Sequence, residues 1–232
     1  ITSFMGPFMG SAINIAIPNM AGEFLVPAQE LSWVVTAYLL GSVALIVPFG
    51  RLADIIGRRR LYVRGTAMVA LTTFAGGLMP DAPSLVVCRF LQGLALATIF
   101  STGMAMLVAS HRPEERGRVI GYSAAATYIG LSMGPVLGGL ITQYLGWRLI
   151  FFMAAFVQFM SAILASRVQD EWYGSRVGGM DWTGCLLYIA GSAMALLGLS
   201  AYASHPAARW MLLAGLVLLA VFVLEQQKVK VP

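Results

Sequence analysis

The chain has 232 residues, of which 59% are hydrophobic and only 11% are charged, with a formal net charge of +5. Its mean hydropathy is +0.80. A soluble domain carries about 25% charged residues, so this composition excludes an ordinary water-exposed surface and makes a lipid bilayer the expected surroundings. The positive charge does not indicate a nucleic-acid partner, because the basic residues lie in short segments between apolar runs, where they set membrane topology.

The sequence contains few side chains that could carry enzymatic or metal chemistry. Its two cysteines, Cys88 and Cys185, lie inside apolar runs and predict no disulfide framework. No group of His, Cys, Asp and Glu has the spacing of a metal site, and no arrangement of Ser, His and Asp suggests a nucleophile. We therefore expect a protein that is not an enzyme and has no cofactor or bound metal.

Eight apolar runs are long enough to be membrane spans, since about 20 residues of helix cross the hydrocarbon core. They cover residues 1–19, 31–49, 61–79, 85–108, 119–144, 149–166, 182–202 and 210–224. None alternates strictly between apolar and polar residues, which disfavours a β-barrel, and a helix is then the way to satisfy the backbone in lipid. The predicted fold class is an all-α polytopic membrane bundle.

The basic residues between the spans fall mainly on one side of the predicted membrane. That side holds Arg51, Arg58, Arg59, Arg60 and Arg64 after span 2, Arg112, Arg116 and Arg118 after span 4, and Arg167 and Arg176 after span 6. The opposite loops hold Arg148 and Arg209, and Lys228 and Lys230 follow span 8 on the basic side. The positive-inside rule then places both ends of the chain in the cytoplasm and the protein in the plasma (inner) membrane.

This topology predicts which introduced cysteines react with a reagent outside the cell. A cysteine at Pro206 is expected to be labelled from outside, and one at Ser175 is not. The longer polar segment after span 6 also divides the chain. We expect a six-helix unit at residues 1–168, a cytoplasmic linker at 169–181, and two further helices with a cytoplasmic tail at 182–232. The natural start is expected to precede Ile1, and residues 228–232 are expected to continue into a further segment.

Arg89 is a charged residue well inside predicted span 4, where burial is costly. One interpretation is snorkelling, in which the side chain reaches back to the outer membrane surface. The other is that it faces a polar cavity with Gln92, which lies three residues further on the same helix face. Asn14 in span 1 is predicted at a similar depth and could supply an amide oxygen, although it could equally be packing glue. Tyr38 in span 2 is a weaker candidate for the same cavity.

Span 5 contains a helical ridge of glycines. Gly130, Gly134 and Gly138 recur every four residues, which lets a facing helix approach closely. Pro135 removes one backbone donor and predicts a bend, and Gly139 widens the smooth surface. We expect this ridge to form an interface at which helices move.

The loop after span 2 carries the most specific pattern in the chain. It reads Gly50-Arg51-Leu52-Ala53-Asp54-Ile55-Ile56-Gly57-Arg58-Arg59-Arg60. This resembles the signature of the major facilitator superfamily, G-x-L-a-D-r-x-G-r-[rk]-x-x-l. The matching residues are Gly50, Leu52, Asp54, Gly57, Arg58, Arg59 and Leu61. The resemblance implies a cytoplasmic latch formed by Gly50, Asp54, Gly57, Arg58 and Arg59, with Asp54 paired to Arg58 or to Arg112.

Other segments resemble the 14-spanning drug:proton antiporters of that superfamily. They are residues 14–18, 31–40 and 180–184. Residues 87–93 resemble the span-4 motif of the superfamily, and residues 130–139 resemble its span-5 motif associated with antiporters. The resemblance implies two six-helix halves joined by two additional helices, so this chain would supply the N-terminal half and the additional pair. The C-terminal half would be absent from it, and would come from the same gene or from another chain. Met9 departs from the pattern, because the group usually has an aspartate there.

The resemblance implies proton-driven export of drugs or other small amphipathic molecules by alternating access. The partners would be the bilayer, a small-molecule substrate and the missing half, with a proton gradient as the energy source. Because no acidic residue lies deep in a predicted span, the coupling carboxylate is expected in the missing half. Two alternatives remain. One is an importer or facilitator of an anionic or neutral solute. The other is a non-transporting scaffold or sensor derived from a half-transporter.

Overall fold

A computed structural model describes residues 1–174, 179–202 and 205–227. Its helices in these ranges are α1 (Thr2–Phe24), α2 (Ala28–Ala44), α3 (Ile46–Ile56), α4 (Arg58–Gly77), α5 (Ala82–Ala109), α6 (Pro113–Leu145), α7 (Arg148–Arg167), α8 (Trp182–Ser200) and α9 (Ala207–Gln226). Several positions used in the topology prediction, Ser175, Arg176, Lys228 and Lys230, lie outside the described residues. The predicted all-α fold class is confirmed.

Each predicted span has a helical counterpart, but span 2 is broken. It consists of α2 and α3, which meet at Leu45 with a bend of 44°. Pro48 explains the break, because its ring has no N–H to donate to the carbonyl of Ala44 and would clash with it in a continuous helix. The prediction of one uninterrupted span at residues 31–49 is therefore wrong at its C-terminal end.

The segment predicted as a loop at residues 50–60 is also largely helical. Most of it belongs to the last turns of α3 and the first turn of α4, and Gly57 alone separates the two helices. Gly57 has φ +110°, a conformation that side-chain-bearing residues rarely adopt. A single glycine thus makes the sharp reversal that a longer loop would otherwise need.

Helices α5 to α9 are each long and apolar enough to cross a membrane, and α2 with α3 forms a sixth such unit among the described residues. Helix α1 has 23 residues and α4 has 20, so both have a suitable length. Neither contains a continuous stretch as apolar as those of the other helices, because α1 includes glycine, proline and asparagine and α4 begins with arginines. Both nevertheless pack along spanning helices, α1 against α6 and α4 against α5 and α7.

The bundle is built from closely packed helix pairs, chiefly α1 with α6, α2 with α5, and α4 with α5 and α7. A buried apolar cluster joins α1, α2, α5 and α7, and Phe8, Met20, Leu31, Leu85 and Phe151 are among its members. Helices α8 and α9 form a hairpin that rests mainly on α2. This arrangement places α5 against both α2 and α4, and Met9 of α1 reaches Gln92 of α5.

Candidate functional site

Two glycines bring α2 and α5 into backbone contact at the centre of the bundle. A Cβ atom added to Gly93 would meet the carbonyl group of Tyr38 and would lie 2.9 Å from the backbone nitrogen of Ser42. One added to Gly41 would lie 3.0 Å from the backbone nitrogen of Leu94. Because the obstructing atoms are backbone, a larger residue would push the helices apart. The close crossing fixes Tyr38 of α2 beside Arg89 of α5.

Arg89 is buried in this crossing and only 1% exposed. Its Nε donates to the backbone carbonyl of Val34 at 3.2 Å, and its Nη1 donates to Oε1 of Gln92 at 2.6 Å. The guanidinium carbon lies 3.9 Å from the centre of the Tyr38 ring, within the range of a cation–π contact. Arg89 therefore points into the bundle and does not snorkel to the outer surface, whereas the polar cavity of the second interpretation stays a prediction.

Gln92 connects Arg89 to two further helices. Its Nε2 donates to Oγ1 of Thr73 on α4 at 2.5 Å and lies 3.6 Å from Sδ of Met9 on α1. Sequence reasoning did not single out Thr73 or Val34, because neither a threonine in a span nor a backbone carbonyl has a distinctive pattern. Met9 was noted only for lacking the carboxylate that the family pattern has there. The structure shows that this position adjoins the polar cluster.

The prediction that Arg89 bonds to Asn14 is wrong. Asn14 is exposed, while its helix neighbours Ala12, Ile13 and Ala16 are buried. Successive helix residues are about 100° apart, so Asn14 lies roughly 150° around the helix axis from the middle of the face that these three residues form. Burial of this face decides how α1 is rotated, and Asn14 therefore faces outward from the described bundle. The depth argument could not fix this rotation.

The buried cluster holds a positive charge against neutral partners. Among the described residues, the ion pairs involve Asp54, Glu171 and Glu23, and none includes Arg89. A guanidinium has five donors and no acceptor, so amide and carbonyl oxygens are the groups that stabilise it here. An incompletely neutralised cation in a low-dielectric site attracts an anion or a carboxylate. The cluster can therefore bind a negative group or respond to protonation of one.

The signature segment at residues 50–60 contains the predicted ion pair. Arg58 donates to Oδ1 of Asp54 from Nε at 2.9 Å and from Nη2 at 2.8 Å. Both side chains are about one quarter exposed. The structure thus pairs Asp54 with Arg58, four residues later across the Gly57 turn, and not with Arg112.

The linker that follows α7 caps the first turn of α4. The backbone N–H groups of Arg59 and Arg60 donate to Oε1 of Glu171 at 2.8 and 3.4 Å. The N–H of Arg58 donates to the carbonyl of Trp172 at 2.8 Å. Backbone N–H groups in the first turn of a helix have no acceptor within that helix, so the linker supplies acceptors for donors that would otherwise be unpaired. Sequence analysis missed Glu171, because its role depends on a contact more than 100 residues away.

Further contacts hold the linker against the signature segment. Arg59 donates from Nη2 to the carbonyl of Ser166 at 2.7 Å, and Nε of Arg60 lies 3.7 Å from Oε2 of Glu171. A Cβ atom added to Gly174 would collide with the carboxylate of Asp54. The contacts of the signature segment therefore extend to part of the linker at residues 169–181, and the latch role stays a prediction.

The glycine ridge of α6 faces α1. Gly130, Gly134 and Gly138 are buried, and a Cβ atom at Gly134 would lie 2.6 Å from the Cβ of Ser11 and 2.9 Å from the carbonyl oxygen of Phe8. The expected close helix approach is confirmed, with a partner in the same half. Pro135 is exposed, and a Cβ atom at Gly139 would have only an ordinary contact of 3.6 Å. The predicted role of these residues at a moving interface stays a prediction.

Comparison with known proteins identifies the family and limits what can be transferred. The model of the Major Facilitator Superfamily matches residues 1–171. The multidrug resistance protein Stp of Mycobacterium tuberculosis (strain CDC 1551 / Oshkosh) is 36% identical over 182 residues, covering 76% of this chain and 33% of Stp. The riboflavin transporter RibZ of Clostridioides difficile is 30% identical over 202 residues, covering 85% of the chain and 43% of RibZ.

A third relative, the puromycin resistance protein pur8 of Streptomyces alboniger, is 29% identical over 227 residues. The alignment covers 96% of this chain and 45% of that protein. The chain thus spans less than half the length of these relatives. Their printed names include both drug resistance and vitamin transport, so similarity alone does not fix a solute for this chain.

Proposed function

This chain belongs to the Major Facilitator Superfamily, and we propose that it forms the N-terminal half and two additional helices of a proton-coupled drug exporter. In this proposal the solutes are drugs or other small amphipathic molecules, and transport occurs by alternating access. The second half is supplied by a further segment of the same protein or by another chain. Alternating access needs two halves because the solute site lies between them.

The buried cluster of Arg89, Gln92 and Tyr38 is the observation that carries the proposal. It lies at the crossing of α2 and α5 and holds a cation among neutral acceptors. A buried charge within membrane helices is costly and is a functional-site candidate by default. We propose that it senses the protonation of a carboxylate in the second half. Asn14, which faces outward from this half, would meet the solute or that half directly.

Antibiotic resistance among the relatives supports export as the direction. The names of Stp and pur8 refer to multidrug and puromycin resistance, and a related protein of Amycolatopsis lactamdurans is named a cephamycin export protein. Resistance is what removal of a toxic compound from the cell produces. The distribution of basic residues, with both ends of the chain in the cytoplasm of a plasma-membrane protein, is consistent with this arrangement.

Uptake or facilitated transport of an anionic or neutral solute is the second candidate. It is favoured by the lack of a carboxylate partner for Arg89 among the described residues, because an unneutralised guanidinium can bind an anionic solute directly. RibZ provides a relative named for riboflavin transport. In this case Arg89 would contact the solute and would need no proton gradient.

Transport into inside-out membrane vesicles separates these functions. Vesicles containing the intact protein would be supplied with labelled puromycin, lincomycin or riboflavin, with and without a proton uncoupler. The export proposal predicts uptake of a drug that stops when the gradient collapses. Flux of riboflavin that is unaffected by the uncoupler would support the facilitator instead. Absence of any flux with the protein correctly inserted would support a scaffold or sensor and contradict both.

A further inference from the structure

An apolar groove on the outside of the bundle has no role in the transport proposal. It lies between the α2–α3 bend, α4 and α5 and has a volume of about 410 Å³. Pockets that hold small organic ligands have volumes of about 300–1,000 Å³, so it is large enough for a substantial apolar group. Its walls include Leu45, Phe49, Met68, Leu91 and Ala95, and Arg64 lies at one end. We call this feature the lateral groove.

The lateral groove opens away from the buried Arg89 cluster. Met68 is 51% exposed and Leu91 is 49% exposed, whereas Arg89 is 1% exposed. Arg89 and Leu91 are two residues apart on α5, so their side chains point about 200° apart around the helix axis. The groove therefore opens at the surface of the described bundle, on the side of α5 opposite Arg89. An apolar wall on such a surface is suited to contact with lipid chains in a bilayer.

Arg64 gives the groove a charge that its walls lack. Three of the four arginines of α4 are engaged by protein groups: Arg58 by Asp54, Arg59 by Ser166, and Arg60 by Glu171. Arg64 is exposed, and no ion pair or hydrogen bond of its side chain occurs among the described residues. Its cation is therefore available to a group from outside the protein.

The position of Arg64 along α4 suits a lipid headgroup. It lies six residues after Arg58, which is about 9 Å into the helix at 1.5 Å per residue. Helical side chains lean toward the N-terminus, and the N-terminus of α4 is the end that carries the arginine-rich signature. The long side chain can thus extend from the apolar groove to the membrane interface. Basic pockets between membrane helices at this level are suited to anionic lipid headgroups.

We propose that the lateral groove binds an anionic phospholipid, with its phosphate on Arg64 and one acyl chain along Met68, Leu91 and Ala95. The charge argues for this occupant over a cationic drug, which Arg64 would repel. The extent of the apolar wall argues against a free phosphate ion, which would leave it empty. The proposal concerns the membrane-facing surface, so it does not depend on which solute the protein transports.

Lipid binding to the purified intact protein tests this assignment. Native mass spectrometry would measure adducts with dioleoyl phosphatidylglycerol and dioleoyl phosphatidylcholine. Arg64→Gln is expected to weaken phosphatidylglycerol binding about fivefold, the effect of one basic residue near an anionic lipid. The matched control Arg116→Gln removes an exposed arginine outside the groove and should leave this affinity unchanged. Ala95→Phe should reduce binding of both lipids, because the new ring occupies the path of the acyl chain.

Three outcomes would overturn the proposal. The first is equal phosphatidylglycerol binding by wild type and Arg64→Gln. The second is an equal loss in the Arg116→Gln control, which would indicate nonspecific attraction. The third is that Ala95→Phe binds both lipids as wild type does but no longer binds a transported drug. That result would identify the groove as a drug site. Absence of drug transport in vesicles would refute the proposed export but leave these lipid affinities as predicted.

Discussion

Replacement of Glu171 by alanine should loosen the start of α4. Oε1 of Glu171 accepts hydrogen bonds from the backbone N–H groups of Arg59 and Arg60, which have no other acceptors within the helix. Removal of a helix-capping side chain costs about 1 kcal/mol and up to about 2 kcal/mol. The additional ion pair with Arg60 contributes little, because the Arg60 side chain is 60% exposed. A total loss of about 1–2 kcal/mol is therefore expected.

A loss of this size should be visible in amide hydrogen exchange. One to two kcal/mol changes an equilibrium between closed and open forms about 5–30-fold, so the amides of Arg59 and Arg60 should exchange faster by that factor in Glu171→Ala. Peptides covering this turn would be followed by mass spectrometry in the intact protein. Asp170→Ala is the matched control, because Asp170 is an exposed acid in the same linker and makes no ion pair or hydrogen bond among the described residues.

Two results would refute the capping role of Glu171. Unchanged exchange at Arg59 and Arg60 in Glu171→Ala would show that the carboxylate does not hold this turn. Equal acceleration in Asp170→Ala would show that loss of any negative charge from the linker is sufficient. Exchange near the middle of α4 should stay unchanged in both variants, since the effect of a cap is confined to the first turn.

The remaining predictions concern the latch, the glycine ridge and the buried cation. Asp54→Asn should lower transport, because it removes the ion pair with Arg58. Membrane insertion should stay normal, because this partly exposed pair contributes less than about 1 kcal/mol to stability. Full flux in the variant would show that the segment only sets topology. Gly134→Leu should reduce both flux and thermal stability, because the new side chain forces α1 away from α6 at a cost of about 1–3 kcal/mol or more in folding free energy. Gly121→Leu is the control, since a Cβ atom at Gly121 meets no neighbouring atom within 4 Å. Equal stability of the two variants would contradict the packing argument. Arg89→Lys keeps the charge but loses the planar guanidinium, which donates from Nε to Val34 and from Nη1 to Gln92 while it lies over the Tyr38 ring, so flux should fall roughly tenfold. Wild-type flux would show that the guanidinium shape is unimportant.

Hydropathy was sufficient to predict the helical fold, because in lipid each span must satisfy its own backbone. It was less reliable where one residue overrides a long apolar run. Pro48 splits predicted span 2 at Leu45, and Gly57 allows two helices to meet where a loop was expected. Both effects are local and follow from known backbone chemistry. Neither effect was predicted, because the apolar run of span 2 indicated a span by its length and the segment after it indicated a loop by its charge.

The candidate site was predictable only where its members share a helix. Arg89 and Gln92 are three residues apart on α5, and their spacing correctly indicated a contact. The expected contact between Asn14 and Arg89 was wrong because position along α1 sets only the depth of a residue, whereas its orientation depends on which face of α1 is buried. Glu171 could not be found from local patterns, since its partners Arg59 and Arg60 lie more than 100 residues earlier. Tertiary packing decided both cases.

Proton movement during solute transport tests the central proposal most directly. The intact protein would be reconstituted into liposomes containing a pH-sensitive dye, and a drug that it carries would be added without an imposed gradient. Proton-coupled export predicts that protons cross the membrane opposite to the drug, and that Arg89→Lys reduces both movements together. Drug flux of normal size with no change of internal pH would contradict the account.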